Sequence, residues 1–227
     1  MYSNESIRLI ELVMIKINLL ELQCSCIRET YPALEKIVAM QRRRLSTIAK
    51  LALSSAIQSL DAAAEKGIQV DYIVWASQYG DEAKTLKILQ DVLQAETPSP
   101  TLFSTSVHNA VAGLYSILCQ DATPSTSLCA TWSEALIEAY AYLKTNAKTN
   151  PCKRVLVVYY DEALPALYHE YKNFEGFALS AVVGLDDANL AIDLNALQHH
   201  DFKYRDALDF QQFWQQPSGL SPAWSKC

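Results

Sequence analysis

Apolar residues along this chain recur with two different periods, and the switches between them outline the fold. Lys16 and Asn18 separate Ile15, Ile17 and Leu19, so an opening strand is expected over 15–26. Three further runs are rich in β-branched and aromatic residues: Val70–Ser77, Arg154–Tyr160 and Phe177–Leu185. Nearly continuous apolar runs of that length read as strands buried on both faces. The second ends in Asp161-Glu162, which reads as a turn-forming pair before Pro165 or as carboxylates at a strand's carboxyl edge, where α/β proteins place ligands. A shorter strand is expected at Ser125–Leu128, after a turn at Asp121–Pro124. Between these runs the period becomes helical. Leu45, Ile48, Ala49, Ala52, Leu53, Ala56 and Leu60 make one stripe, predicting a helix over 42–66 that stops at Gly67. Glu82–Leu93 and Trp132–Lys144 read as further helices, and Pro32–Met40 as a turn or short helix.

The segment from Ser99 to Gly113 places a hydroxyl run, His108 and Asn109 at the mouth of another helix. The expectation is a loop through Ser106, with Ser106 as N-cap and Val111, Leu114, Tyr115 and Leu118 on the buried face. Residues from Asp187 onward read as a tail of short pieces carrying exposed aromatics at Phe210, Phe213, Trp214 and Trp224. Strands alternating with helices predict an α/β fold with a mostly parallel sheet sandwiched by helices.

Composition narrows the function classes. The formal net charge is −6, and Arg42–Arg44 is the only basic stripe, which argues against sequence-tolerant nucleic-acid binding. Arg8, Glu11, Lys16 and Glu21 interrupt the apolar stretch at 7–22, so no membrane span is expected there. Met14 offers an alternative start, with residues 1–13 as an N-terminal extension. The six cysteines lack paired metal spacing, and Cys24-Ser25-Cys26 stands without a second pair. Reduced thiols in a cytoplasmic protein are expected, with no metal and no cofactor. No glycine-rich phosphate loop occurs. Charged residues make up 19% of the chain, low enough to suggest a surface covered by a partner.

Cys129 lies between a short strand and a helix, where free N–H groups and the helix dipole favour a thiolate and can hold an oxyanion. A cysteine at a strand end is also often a small buried hydrophobe. His108 is the one histidine in the patterned core; His169, His199 and His200 fall in polar segments.

The order of these pieces carries a resemblance. Met40–Ser46 heading a long helix is followed by Val70–Asp81 and Ser99–Gly113. Then come Pro124–Ala130 and Arg154–Pro165. Taken together over 14–226, this resembles the N-terminal half of a β-ketoacyl synthase. More narrowly, it is similar to the short chain length factors of aryl polyene, or type II polyketide-like, biosynthesis.

The resemblance implies a thiolase-like fold, N-terminal half only. The synthase-like domain would cover 14–186, and an aromatic-rich tail over 187–227 would pack on it or on a partner. Such enzymes use a Cys at the strand-to-helix step, and Cys129 aligns with it. Their catalytic His and Asn come from a C-terminal half that this chain is expected to lack. The continuation Ala130-Thr131-Trp132 departs from the small-residue, glycine-containing pattern of the synthases, and Ala122-Thr123-Pro124 lacks the usual Gly-Pro.

The implied role is a non-catalytic partner in fatty-acid or aryl polyene-type biosynthesis, shaping the acyl tunnel beside a true synthase. Ser104, Ser106, His108 and Asn109 would be structural or tunnel-lining. Implied partners are a β-ketoacyl synthase subunit, an acyl carrier protein, or a second copy in a homodimer. The alternative is a minimal acyltransferase or thioesterase using Cys129 as acyl-accepting nucleophile.

Overall fold

The computed structural model describes residues 14–28, 30–146, 153–170, 174–199, 205–216 and 221–227. The extension expected over 1–13 lies outside them. The strands are β1 (Met14–Cys26), β2 (Tyr72–Ser77), β3 (Ser125–Cys129), β4 (Val155–Asp161), β5 (Phe177–Gly184), β6 (Leu190–Asp193) and β7 (Trp224–Lys226). They form one sheet in the order β3-β2-β4-β5-β1-β6-β7.

An α/β sheet between helices is borne out, and its direction is corrected. Among the described residues only β2 with β3 and β2 with β4 run parallel. The pairings β4–β5, β5–β1, β1–β6 and β6–β7 are antiparallel. A buried strand has the same apolar pattern whichever way it runs, so periodicity carried no direction. The parallel part is the β3-β2-β4 end, and it holds the candidate site.

Alternation along the strands feeds two cores. Ile73, Trp75, Leu156, Val158 and Tyr160 face α1 (Thr47–Glu65). Val74, Val155, Val157 and Tyr159 face the other way. All seven residues of β4 are buried, as a central strand covered on both sides requires. The helix expected over 42–66 is broken. A single helical turn at Ala39–Arg42 precedes α1, and Ser46 caps α1 by accepting from Ala49 N. At its other end Gly67 takes φ +69° and Ile68 N donates to Ala63 O at 2.9 Å, a glycine stop of the expected kind.

The next helices are α2 (Glu82–Leu93), α3 (Pro100–Ser106), α4 (Ala110–Cys119) and α5 (Trp132–Asn146). The hydroxyl run read as a loop is therefore helix α3. Ser99 is its N-cap, accepting from Leu102 N, and Pro100 sits in its first turn. The hydroxyls turn back onto their own helix: Ser104 and Thr105 donate to Thr101 O, and Ser106 donates to Phe103 O. Ser106 thus ends α3, and Asn109 takes the cap position of α4 without a side-chain bond.

The tail is also corrected. α6 (Leu194–His199) and α7 (Asp206–Gln215) lie between β6 and β7, which extend the sheet, and Phe210, Phe213 and Trp224 are buried. Phe210 lies 5.5 Å from the Trp132 ring and 5.3 Å from that of Trp224. The spacing Ala207, Phe210, Phe213 is helical, so these aromatics close the chain's own core.

Candidate functional site

Parallel strands end together, and α/β proteins place chemistry at such carboxyl edges. Here β2, β3 and β4 deliver Ser77, Cys129 and Asp161. Ser77 and Cys129 are directly paired in the parallel register. The chain turns sharply after Ser77 through Gly80, at φ +67°. A Cβ at Gly80 would lie 3.4 Å from the His108 ring, so glycine serves both the turn and the packing.

Asp161 organises that turn. Its carboxylate accepts from Ser77 Oγ at 2.6 Å, Tyr79 N at 3.1 Å, Gln78 N at 3.2 Å and Tyr159 OH at 2.5 Å. The residue is fully buried. Burial pushes its pKa up, and the hydrogen bonds from Ser77, Tyr159, Tyr79 and Gln78 oppose that shift. Ser77 Oγ in turn accepts from Gly80 N at 2.7 Å. The Gln78 carbonyl held by this network accepts the Cys129 thiol proton at 3.3 Å.

Cys129 is exposed at the end of β3, at the strand-to-helix step the sequence indicated. The free N–H groups expected beside it are committed elsewhere. Thr131 N donates to Glu134 Oε2 at 2.7 Å, while Glu134 N donates to Thr131 Oγ1 at 3.2 Å. This reciprocal pair is a capping box, legible in Thr131-Trp132-Ser133-Glu134. Ser133 N donates to Asp206 Oδ2 at 2.7 Å, and Ser133 Oγ to Asp206 Oδ1 at 2.9 Å. Two carboxylates thus sit at the positive end of α5. Ala130 N donates to Ser77 O at 3.2 Å. The thiol therefore faces a carbonyl, and the N–H groups of Thr131 and Ser133 that could have held an oxyanion beside it are taken by carboxylates.

His108 and Asn109 lie at the junction of α3 and α4, and no hydrogen bond links either to Cys129 among the described residues. The His108 Nδ1 atom is buried and has no hydrogen-bond partner among those residues. Ser104 and Ser106 are spent on α3 carbonyls. Nearby, Glu162 is pushed up to about 7, first by burial and then by Asp81. Periodicity singled out none of Ser77, Gln78 or Asp206, whereas Asp161-Glu162 stood out as the pair ending a strand. Asp206 reaches Ser133 across 73 positions, so no local signal could have paired them.

A family model supplies the assignment. The Beta-ketoacyl synthase, N-terminal domain family matches residues 22–220. The chain belongs to that family. Its thiolase-like fold follows, as the sequence resemblance implied. Among solved structures, it is similar to the complex of a ketosynthase (ApeO) with its chain length factor (ApeC) from Xenorhabdus doucetiae. That match has 24% identity and a TM-score of 0.63, covering 78% of this chain and 81% of that one. The ishigamide ketosynthase/chain length factor matches at 17% identity and TM-score 0.53, covering 72% of this chain and 52% of that one. A type II polyketide ketosynthase solved with its acyl-carrier protein (AntDE:AntF) matches at 10% identity and TM-score 0.54, over 86% and 72% of the two chains. No curated protein sequence matches the chain. Among the described residues, no single helix is long and apolar enough to cross a membrane.

Proposed function

We propose that the chain is a non-catalytic, ketosynthase-like subunit of the chain length factor type. It pairs with a true β-ketoacyl synthase and shapes the tunnel in which a carrier-bound acyl or polyene chain grows, in the cytoplasm. The observation that carries this reading is the outer edge of β3, which no strand among the described residues pairs. Pro124 O and Ala130 N both bond to β2, at Ile73 N and Ser77 O. Backbone groups alternate sides along a strand, so Thr126 and Leu128 also face β2, while Ser125, Ser127 and Cys129 point their N–H and C=O groups outward. The strand is Ser-Thr-Ser-Leu-Cys, with no charge, proline or bulge to guard that edge. Natural sheets rarely leave such an edge bare, and a partner strand completes it.

Helix α4 contacts β3 and carries the exposed Ile117, and α3 and the junction before α4 carry the exposed Phe103 and Val107. Ser104, Ser106, His108 and Asn109 share that junction and are the proposed tunnel lining. The unit over 14–186 carries this face; Phe210, Phe213 and Trp224 are committed to the chain's own core. The occupied N–H groups at α5 and the thiol bonded to Gln78 O favour a subunit over the acyltransferase or thioesterase reading. The relatives' complexes with a ketosynthase or a carrier protein suggest the two partners.

Co-expression with a ketosynthase subunit from the same organism tests the pairing. A stable heteromeric complex is expected, and Ser127→Pro, which removes an outward N–H and spares the bonds to β2, abolishes it while leaving the thermal melt unchanged. No complex with the wild type, or an unaltered complex with the variant, contradicts the proposal.

A further inference from the structure

A cavity of about 740 Å³ opens between the segment before α1 and helices α2, α3 and α4. That size lies within the range of small-molecule sites, roughly 300–1,000 Å³. Leu45, Leu102, Leu114 and Leu118 contribute its apolar floor. Three cations reach its walls, and two are already neutralised. Lys84 Nζ pairs with Asp81 Oδ2 at 2.5 Å and donates to Thr105 O at 3.2 Å. Lys87 Nζ pairs with Asp91 Oδ1 at 2.5 Å. Arg44 is exposed, and its guanidinium has no ion pair or hydrogen bond among the described residues.

The chemistry that matches these walls is specific. One uncompensated guanidinium above a leucine floor suits a ligand with one negative charge and an unbranched apolar tail. A dianion would find a single free cation, and a neutral lipid would leave Arg44 without a partner. A guanidinium receives a carboxylate through two parallel N–H bonds. We infer that this cavity binds a long-chain carboxylate, with the tail over Leu45, Leu102, Leu114 and Leu118 and the head on Arg44. No wall residue belongs to β3, and Cys129 does not line the cavity, so this site stands independently of the subunit reading.

The test uses the chain alone with cis-parinaric acid, a polyene fatty acid whose fluorescence rises in apolar surroundings. Saturable binding to the wild type is expected. Arg44→Gln weakens it about tenfold, as loss of a charge-assisted bond should. The methyl ester binds the wild type as weakly as the acid binds that variant. Thr101→Trp, at an exposed wall position beside Leu102, takes up part of the cavity and weakens binding without touching the core. Absence of binding to the wild type overturns the inference. So does equal binding of acid and ester, an unaffected Arg44→Gln variant, or undiminished binding to Thr101→Trp. Because the readout involves no second subunit, failure here leaves the pairing proposal untouched.

Discussion

Replacing Asp161 by Ala should cost about 3–5 kcal/mol of folding stability, read from urea unfolding. Four donors converge on that carboxylate: Ser77 Oγ, Tyr159 OH and the main-chain N–H groups of Gln78 and Tyr79. Alanine leaves them buried or half-buried without an acceptor. The cost of an orphaned donor exceeds the net worth of the bond it made, so the sum is large. Asp161→Asn keeps the shape and one acceptor but turns an NH₂ group toward donors, so an intermediate loss is expected. Tyr159→Phe removes one donor and its bond, and should cost about 1 kcal/mol. The same Asp161 variants release the Gln78 carbonyl, so Cys129 should react faster with a thiol reagent in the folded protein. A loss below about 1 kcal/mol for Asp161→Ala would show that the turn after β2 stands without this carboxylate.

Asp206 gives the second large effect, and its sign is set by pH. Burial, with smaller contributions from Glu134 and Asp209, pushes its pKa from 3.8 to about 6, against hydrogen bonds from Ser133 N and Oγ. A carboxyl whose folded value exceeds its unfolded one takes up a proton on folding between the two values. Its contribution to stability is therefore greatest at the acid end and declines as pH rises through about 4 to 6. The shift corresponds to about 3 kcal/mol across that window. Glu162, pushed up to about 7, acts in the same sense and extends the decline toward neutrality. Unfolding free energies measured from pH 4 to 8 should fall, and Asp206→Asn should flatten the lower part of that slope. An unchanged slope in the variant would place the titration elsewhere. The group matters structurally because Asp206 ties α7 to the first turn of α5, and Trp224 Nε1 joins the same cluster through Ser133 Oγ at 3.2 Å.

The fold was legible where burial alone sets the pattern. Val70–Ser77, Arg154–Tyr160 and Phe177–Leu185 became β2, β4 and β5 with small changes at their ends. Glu82–Leu93 was read to the residue. Failures came where a polar group found its partner within its own helix, or where packing overrode composition. Ser104, Thr105 and Ser106 look like loop residues, yet in α3 each returns its hydroxyl to a carbonyl one turn back. Phe210, Phe213 and Trp224 look exposed in the sequence because their segment is otherwise polar. Their helical spacing with Ala207 was the signal that they form one buried face.

The site was half legible. Cys129 sits where the strand-to-helix pattern put it, and the capping box around it was readable from Thr131 and Glu134. Asp161 was visible as the end of a strand, but its bonds to the turn after β2, and those of Asp206 to Ser133, arise only through the fold. Strand direction was equally hidden: β5 runs against β4, and β1 is inserted between β5 and β6, pairings with no local sequence mark.

Whether Cys129 carries an acyl group is the question on which the subunit reading turns. Intact-protein mass spectrometry after incubation with an acylated carrier protein, comparing wild type with Cys129→Ala in the presence of the ketosynthase partner, answers it directly. The account predicts unmodified mass for this chain in both samples, with the acyl group on the partner alone. An acyl adduct on the wild-type chain that is absent from Cys129→Ala would contradict it and make this chain an enzyme in its own right.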